Sequence, residues 1–148
     1  MPLTLATHGA QHLPAALSAA DLATIEAALA HLPPDQPGLR LASLPALGPL
    51  LGPTGAIGRH AAAHQGAASR PVRAILFDKS AATNWALGWH QDRTIAVRRR
   101  IDIAGFGPWT LKAGIQHVDP PQPLLDAMVT LRLHLDPDGA RIVVAGVK

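Results

Sequence analysis

Met128-Val129-Thr130-Leu131-Arg132-Leu133-His134-Leu135 alternates apolar and polar side chains from Val129 onward. Successive side chains of a strand point to opposite faces. Val129, Leu131, Leu133 and Leu135 therefore define an apolar face, and Thr130, Arg132 and His134 share the other. Working outward, residues 141–144 predict a last short strand. Upstream, Val72-Arg73-Ala74-Ile75-Leu76-Phe77 is short and rich in strand formers. Residues 85–92 and 94–97 are extended candidates around a basic run. Gly105-Phe106-Gly107-Pro108-Trp109 predicts a turn, and Asp119-Pro120-Pro121-Gln122-Pro123 a rigid loop.

Ahead of Arg70-Pro71 the character differs. Leu17-Ser18-Ala19-Ala20-Asp21 reads as a helix start, with Ser18 as cap and Asp21 three residues on. Leu22, Ile25, Leu29 and Leu32 follow at helical spacing, and Pro33-Pro34 ends the run. Residues 41–52 and 54–65 are Ala/Leu-rich and predict two shorter helical pieces, broken at Gly48-Pro49 and Gly52-Pro53. The expected layout is α+β: one domain over residues 1–148, helical over 1–69, with an antiparallel sheet over 70–148.

Composition bounds the function. A chain of 148 residues can bury a real core, and 48% hydrophobic with 16% charged residues excludes a disordered chain. Without cysteine there is no disulfide framework, thiol nucleophile or thiolate-bound metal. Without tyrosine, and with only 3% aromatics, stacking on single-stranded nucleic acid is disfavoured. The net charge of +3 is uneven: residues 1–69 carry only Arg40 and Arg59 as strong bases. The run Arg98-Arg99-Arg100 lacks an aromatic partner in sequence and is expected on an exposed turn. No nucleic-acid partner is expected. No apolar run spans a bilayer, and the first residues lack a signal peptide's basic and apolar regions, so the expected setting is cytoplasmic, without a membrane partner.

Two His-x-Asp triplets occur, His90-Gln91-Asp92 and His134-Leu135-Asp136. In a strand, residues i and i+2 share a face, so such a pair can offer an imidazole nitrogen and a carboxylate oxygen to one metal. That is two-thirds of the facial triad of non-haem Fe(II) sites. With eight histidines in the chain, a bare triplet is more often a solvated pair or a histidine hydrogen-bonded to its neighbour.

The context of the first triplet is more specific. Residues 73–92 read Arg-Ala-Ile-Leu-Phe-Asp-Lys-Ser-Ala-Ala-Thr-Asn-Trp-Ala-Leu-Gly-Trp-His-Gln-Asp. This resembles the phytanoyl-CoA dioxygenase family of iron- and 2-oxoglutarate-dependent oxygenases. The likeness continues through Thr94-Ile95-Ala96-Val97, Gly105-Phe106-Gly107-Pro108-Trp109, Lys112-Ala113-Gly114, His117-Val118, Pro120-Pro121 and residues 130–136. It implies a double-stranded β-helix, or jelly-roll barrel, behind the N-terminal helices. It also implies Fe(II) as cofactor, 2-oxoglutarate as co-substrate and hydroxylation of a small organic substrate. His90 and Asp92 match the proximal iron ligands, and so the catalytic centre. Ile75 and Phe77 would line or back the co-substrate pocket, and Lys79 and Asn84 would either contact the co-substrate or close a loop. Arg132 would either face the barrel cavity to help bind an anionic ligand or form an ion pair with Asp78, Asp102 or Asp119. Trp85, Trp89 and Trp109 would be core or cavity wall. His117 and His134 are further histidines that could serve as ligands.

The resemblance departs at the C-terminal end. The family places a distal histidine at the close of a Pro-Gly-Ser-His segment, with a co-substrate arginine just beyond. Here Ala145-Gly146-Val147-Lys148 aligns with it, so Lys148 stands at the histidine position, and a protonated lysine is not a ligand. The expectation is a C-terminally incomplete or divergent barrel. Its open sheet edge would invite self-association. Two functions follow: an oxygenase-type protein, or a non-catalytic family member acting as a binding or interaction module or without function.

Overall fold

The structure is a computed structural model that describes residues 1–33, 36, 38–41, 45–78, 92–135 and 141–146. In chain order it begins with α1 (Leu5–His8) and β1 (Ala10–Pro14). Gly9 joins them with φ of 70°, a left-handed conformation that suits glycine, and its N–H bonds the Leu5 carbonyl at 3.0 Å. Then come α2 (Ala19–Leu29), β2 (Leu39–Arg40), a 3₁₀ turn (Pro45–Leu47), α3 (Gly48–Leu51) and α4 (Gly58–Gln65). The second half holds β3 (Ile75–Leu76), β4 (Ile95–Val97), β5 (Trp109–Lys112), β6 (Ile115–Val118), α5 (Gln122–Asp126), β7 (Val129–His134) and β8 (Arg141–Gly146). All strand pairs among the described residues are antiparallel, and the class is α+β as expected.

α2 starts where the sequence places it. The Ser18 hydroxyl accepts from the Asp21 amide at 3.1 Å, and the Asp21 carboxylate accepts from the Ser18 amide at 3.0 Å, a complete capping box. The helix stops at Leu29, short of Pro33, and a tighter turn follows in which Leu32 N–H bonds the Leu29 carbonyl. α3 begins at Gly48-Pro49, where a break was expected, because proline is tolerated in a first helical turn. The same rule converts the expected rigid loop after Asp119 into the start of α5, with Pro121 as its N-cap.

The core lies between these helices and one sheet. Leu17, Ile25 and Ile57 are buried, with Leu22, Leu51 and the apolar row Val129, Leu131, Leu133 and Leu135 packed against them. The row read from alternation in β7 is thus the face that meets the helices. The sheet order is β1–β8–β7, which corrects the expectation of helices first and strands afterwards. β1 comes from the first fourteen residues and pairs with β8, Ala10 opposite Ala145 through Pro14 opposite Arg141. Its Ala-Gln-His-Leu-Pro sequence has no β-branched residue, and only this long-range pairing makes it a strand.

The remaining strands form β2–β3 and β4–β6–β5. The β5–β6 hairpin turns on Ala113 and Gly114, both at positive φ (50° and 75°), as two-residue hairpin loops require. The described strands are arranged as these three small sheets.

Candidate functional site

Residues 72–76 connect two of the sheets. Leu41 N–H bonds the Ala74 carbonyl on one side, and Ala96 N–H bonds the Val72 carbonyl on the other, each at 2.9 Å. β2, this segment, β4, β6 and β5 consequently lie side by side. The arrangement brings Arg73 against the entry to β4. Its Nη2 meets Asp92 Oδ1 at 2.6 Å, and its Nη1 lies 3.4 Å from the Thr94 hydroxyl. The Arg73 side chain is 18% exposed and that of Asp92 39%, so the pair sits at the edge of the layer with its cation the deeper member.

Asp92 is the sequence-predicted site residue whose contacts the structure describes most fully. His90, Lys79 and Asn84 lie outside the described residues, as do Trp85 and Trp89. Ile75 is half-buried in β3, opposite Arg40 of β2. Phe77 is 53% exposed.

Arg132 stands on β7 opposite Val143 and is exposed. It shares its sheet face with half-buried His134, as alternation requires. Two of the three ion-pair partners considered for it are engaged elsewhere: Asp102 bonds Arg100 at 2.9 Å, and Asp119 lies 3.8 Å from Arg93. Arg73, in the extended segment just ahead of β3, is a mostly buried arginine that does have a carboxylate partner. The sequence carried the same signal there, an arginine inside the apolar run 72–77.

His117 is fully buried on β6, opposite Ala96 and Thr110. Its Nδ1 donates to the Ile115 carbonyl at 2.9 Å, which leaves Nε2 as the acceptor nitrogen, buried and without a partner among the described residues. The register sets it beside Ala96, four residues along the chain from Asp92, a span of about 13 Å when extended. That placement does not bring His117 and Asp92 to one metal. Among the described residues there is no group of three His, Asp or Glu side chains placed to hold a metal ion. No described helix is long and apolar enough to cross a membrane.

Compared with family models, curated proteins and solved structures, the chain matches none of them.

Proposed function

We propose that this chain is an Fe(II)/2-oxoglutarate-dependent oxygenase-type protein acting on a small organic substrate, with its strands laid out as part of a jelly-roll barrel. The reading rests on the His90-Gln91-Asp92 triplet and the residues around it. The structural observation that supports it is the hold on Asp92. Carboxylates that ligate metals are themselves hydrogen-bonded by neighbours that orient them. Arg73 stands in that relation to Asp92, and Thr94 lies within reach of the same guanidinium. The donor set fits the metal: imidazole and carboxylate are ligands that Fe(II) accepts while keeping open positions. His90 and Asp92 would hold it, and the bound metal would supply oxidative chemistry with 2-oxoglutarate as co-substrate. The chain's own part is to position the two ligands and shield the site.

The test is anaerobic Fe(II) titration of the full chain beside His90→Ala and Asp92→Ala, each checked for folding by circular dichroism. The expected result is binding by the parent chain, lost in both variants, with succinate formed in air when 2-oxoglutarate is added. Binding that survives in both variants would sink the assignment. Binding without succinate would leave the metal site standing and favour the non-catalytic reading.

A further inference from the structure

On the β4–β6–β5 layer the register sorts side chains into two faces. Ile95 and Trp109 both lie opposite Val118, and Val97 and Leu111 opposite Gln116. Ala96 and Thr110, opposite His117, take the other face, and Thr94 falls with them by alternation. The first face carries a hollow of about 300 Å³. Val97, Ile101, Ile103, Phe106, Trp109 and Val118 supply its apolar lining. Ile101 is 46% and Ile103 54% exposed, so this apolar lining stands open to water.

Two arginines are among the residues that border it. Arg98 and Arg99 border the hollow, and both are exposed. Their neighbour Arg100 is committed elsewhere: it lies 5.5 Å from the Trp109 ring centroid and bonds Asp102 at 2.9 Å. Arg98 and Arg99 have no carboxylate partner among the described residues. The hollow thus joins exposed apolar surface to two arginines that have no carboxylate partner among the described residues.

We infer that this hollow binds a medium-chain carboxylate, with the alkyl tail against Val97, Trp109, Val118 and Ile103 and the carboxylate at Arg98 and Arg99. Charge complementarity sets the sign of the head group. Size sets the class, because a concavity of this volume is at the small end of small-molecule pockets. A stable protein partner would instead need about 1,000 Å² or more of matched surface. The proposal stands independently of the iron reading, since it uses a different sheet face from Thr94 and Ala96.

The test is calorimetric titration of the full chain with decanoate below its micellar concentration, alongside decyltrimethylammonium and butyrate. Decanoate is expected to bind with one-to-one stoichiometry, and the other two much more weakly. The double variant Arg98→Gln/Arg99→Gln should weaken decanoate by about tenfold or more, because it removes charge-assisted bonds. Ile103→Asp should abolish binding. Circular dichroism would confirm that both variants fold. Equal binding of the cationic amphiphile, or an unchanged affinity in the double arginine variant, overturns the proposal. So does sedimentation with anionic phosphatidylserine vesicles in the absence of monomeric decanoate binding.

Discussion

Arg73→Gln is the perturbation that probes the candidate site most directly. It removes the cation from Asp92 while keeping a polar side chain of similar reach. Fully exposed ion pairs are worth about 0.2–1 kcal/mol. Breaking a buried pair costs about 3–5 kcal/mol, because a charge is left stranded. Here Arg73 is 18% exposed but Asp92 39%, so water still screens the carboxylate. The pairwise coupling should therefore lie near the top of the exposed range, about 1 kcal/mol. The single variant should lose rather more, about 1–2 kcal/mol, because the contact with Thr94 goes as well. Urea unfolding followed by circular dichroism on the parent, Arg73→Gln, Asp92→Asn and the double variant isolates the coupling. It should shrink between low and 1 M salt, as the screening length falls to about 3 Å. If the two changes add to within about 0.3 kcal/mol, the ion pair does not organise this edge. On the iron reading, Arg73→Gln should also weaken Fe(II) binding by about tenfold or more. Unaltered iron affinity would remove Arg73 from any positioning role.

Three further outcomes follow from the packing. Ile25→Ala should cost about 2–5 kcal/mol in urea unfolding, because Ile25 is 2% exposed at the centre of the helix–sheet core. Gly58→Ala should destabilise by about 1–3 kcal/mol, since a Cβ there runs into the carbonyl oxygens of Leu51 and Gly52. The hydroxyl and amide of Ser18 hold the Asp21 carboxyl below its ordinary pKa. Its contribution is therefore full above the usual carboxylate range and lost as pH falls through the lowered value. Asp21→Asn should then be destabilising at neutral pH and converge with the parent in acid, and a gap that is constant with pH would contradict this.

Local chemistry made several elements legible. α2 carries its cap, its acidic third residue and its apolar spacing within a dozen consecutive positions, and the structure uses all three. β7 was readable because strict alternation survives whatever the strand pairs with. The exposed course of Arg98-Arg99-Arg100 followed from charge alone. β1 was not readable, because nothing in its five residues distinguishes a strand from a loop until β8 lies beside it. α5 was hidden by its prolines, which read as a loop unless they are known to sit at a helix start.

The same division runs through the candidate site. The His90-Gln91-Asp92 triplet is a local pattern, so the sequence by itself determined which residues were candidates and what chemistry they could support. It also determined the α+β class, since helical and alternating periodicities are properties of neighbouring residues. Only the tertiary structure decided which arginine meets Asp92, and it is Arg73. That choice depends on the 72–76 segment bonding to β4 at Val72 and Ala96. Charge pairing depends on distances across strands, and those distances come from backbone pairings between residues far apart in the chain.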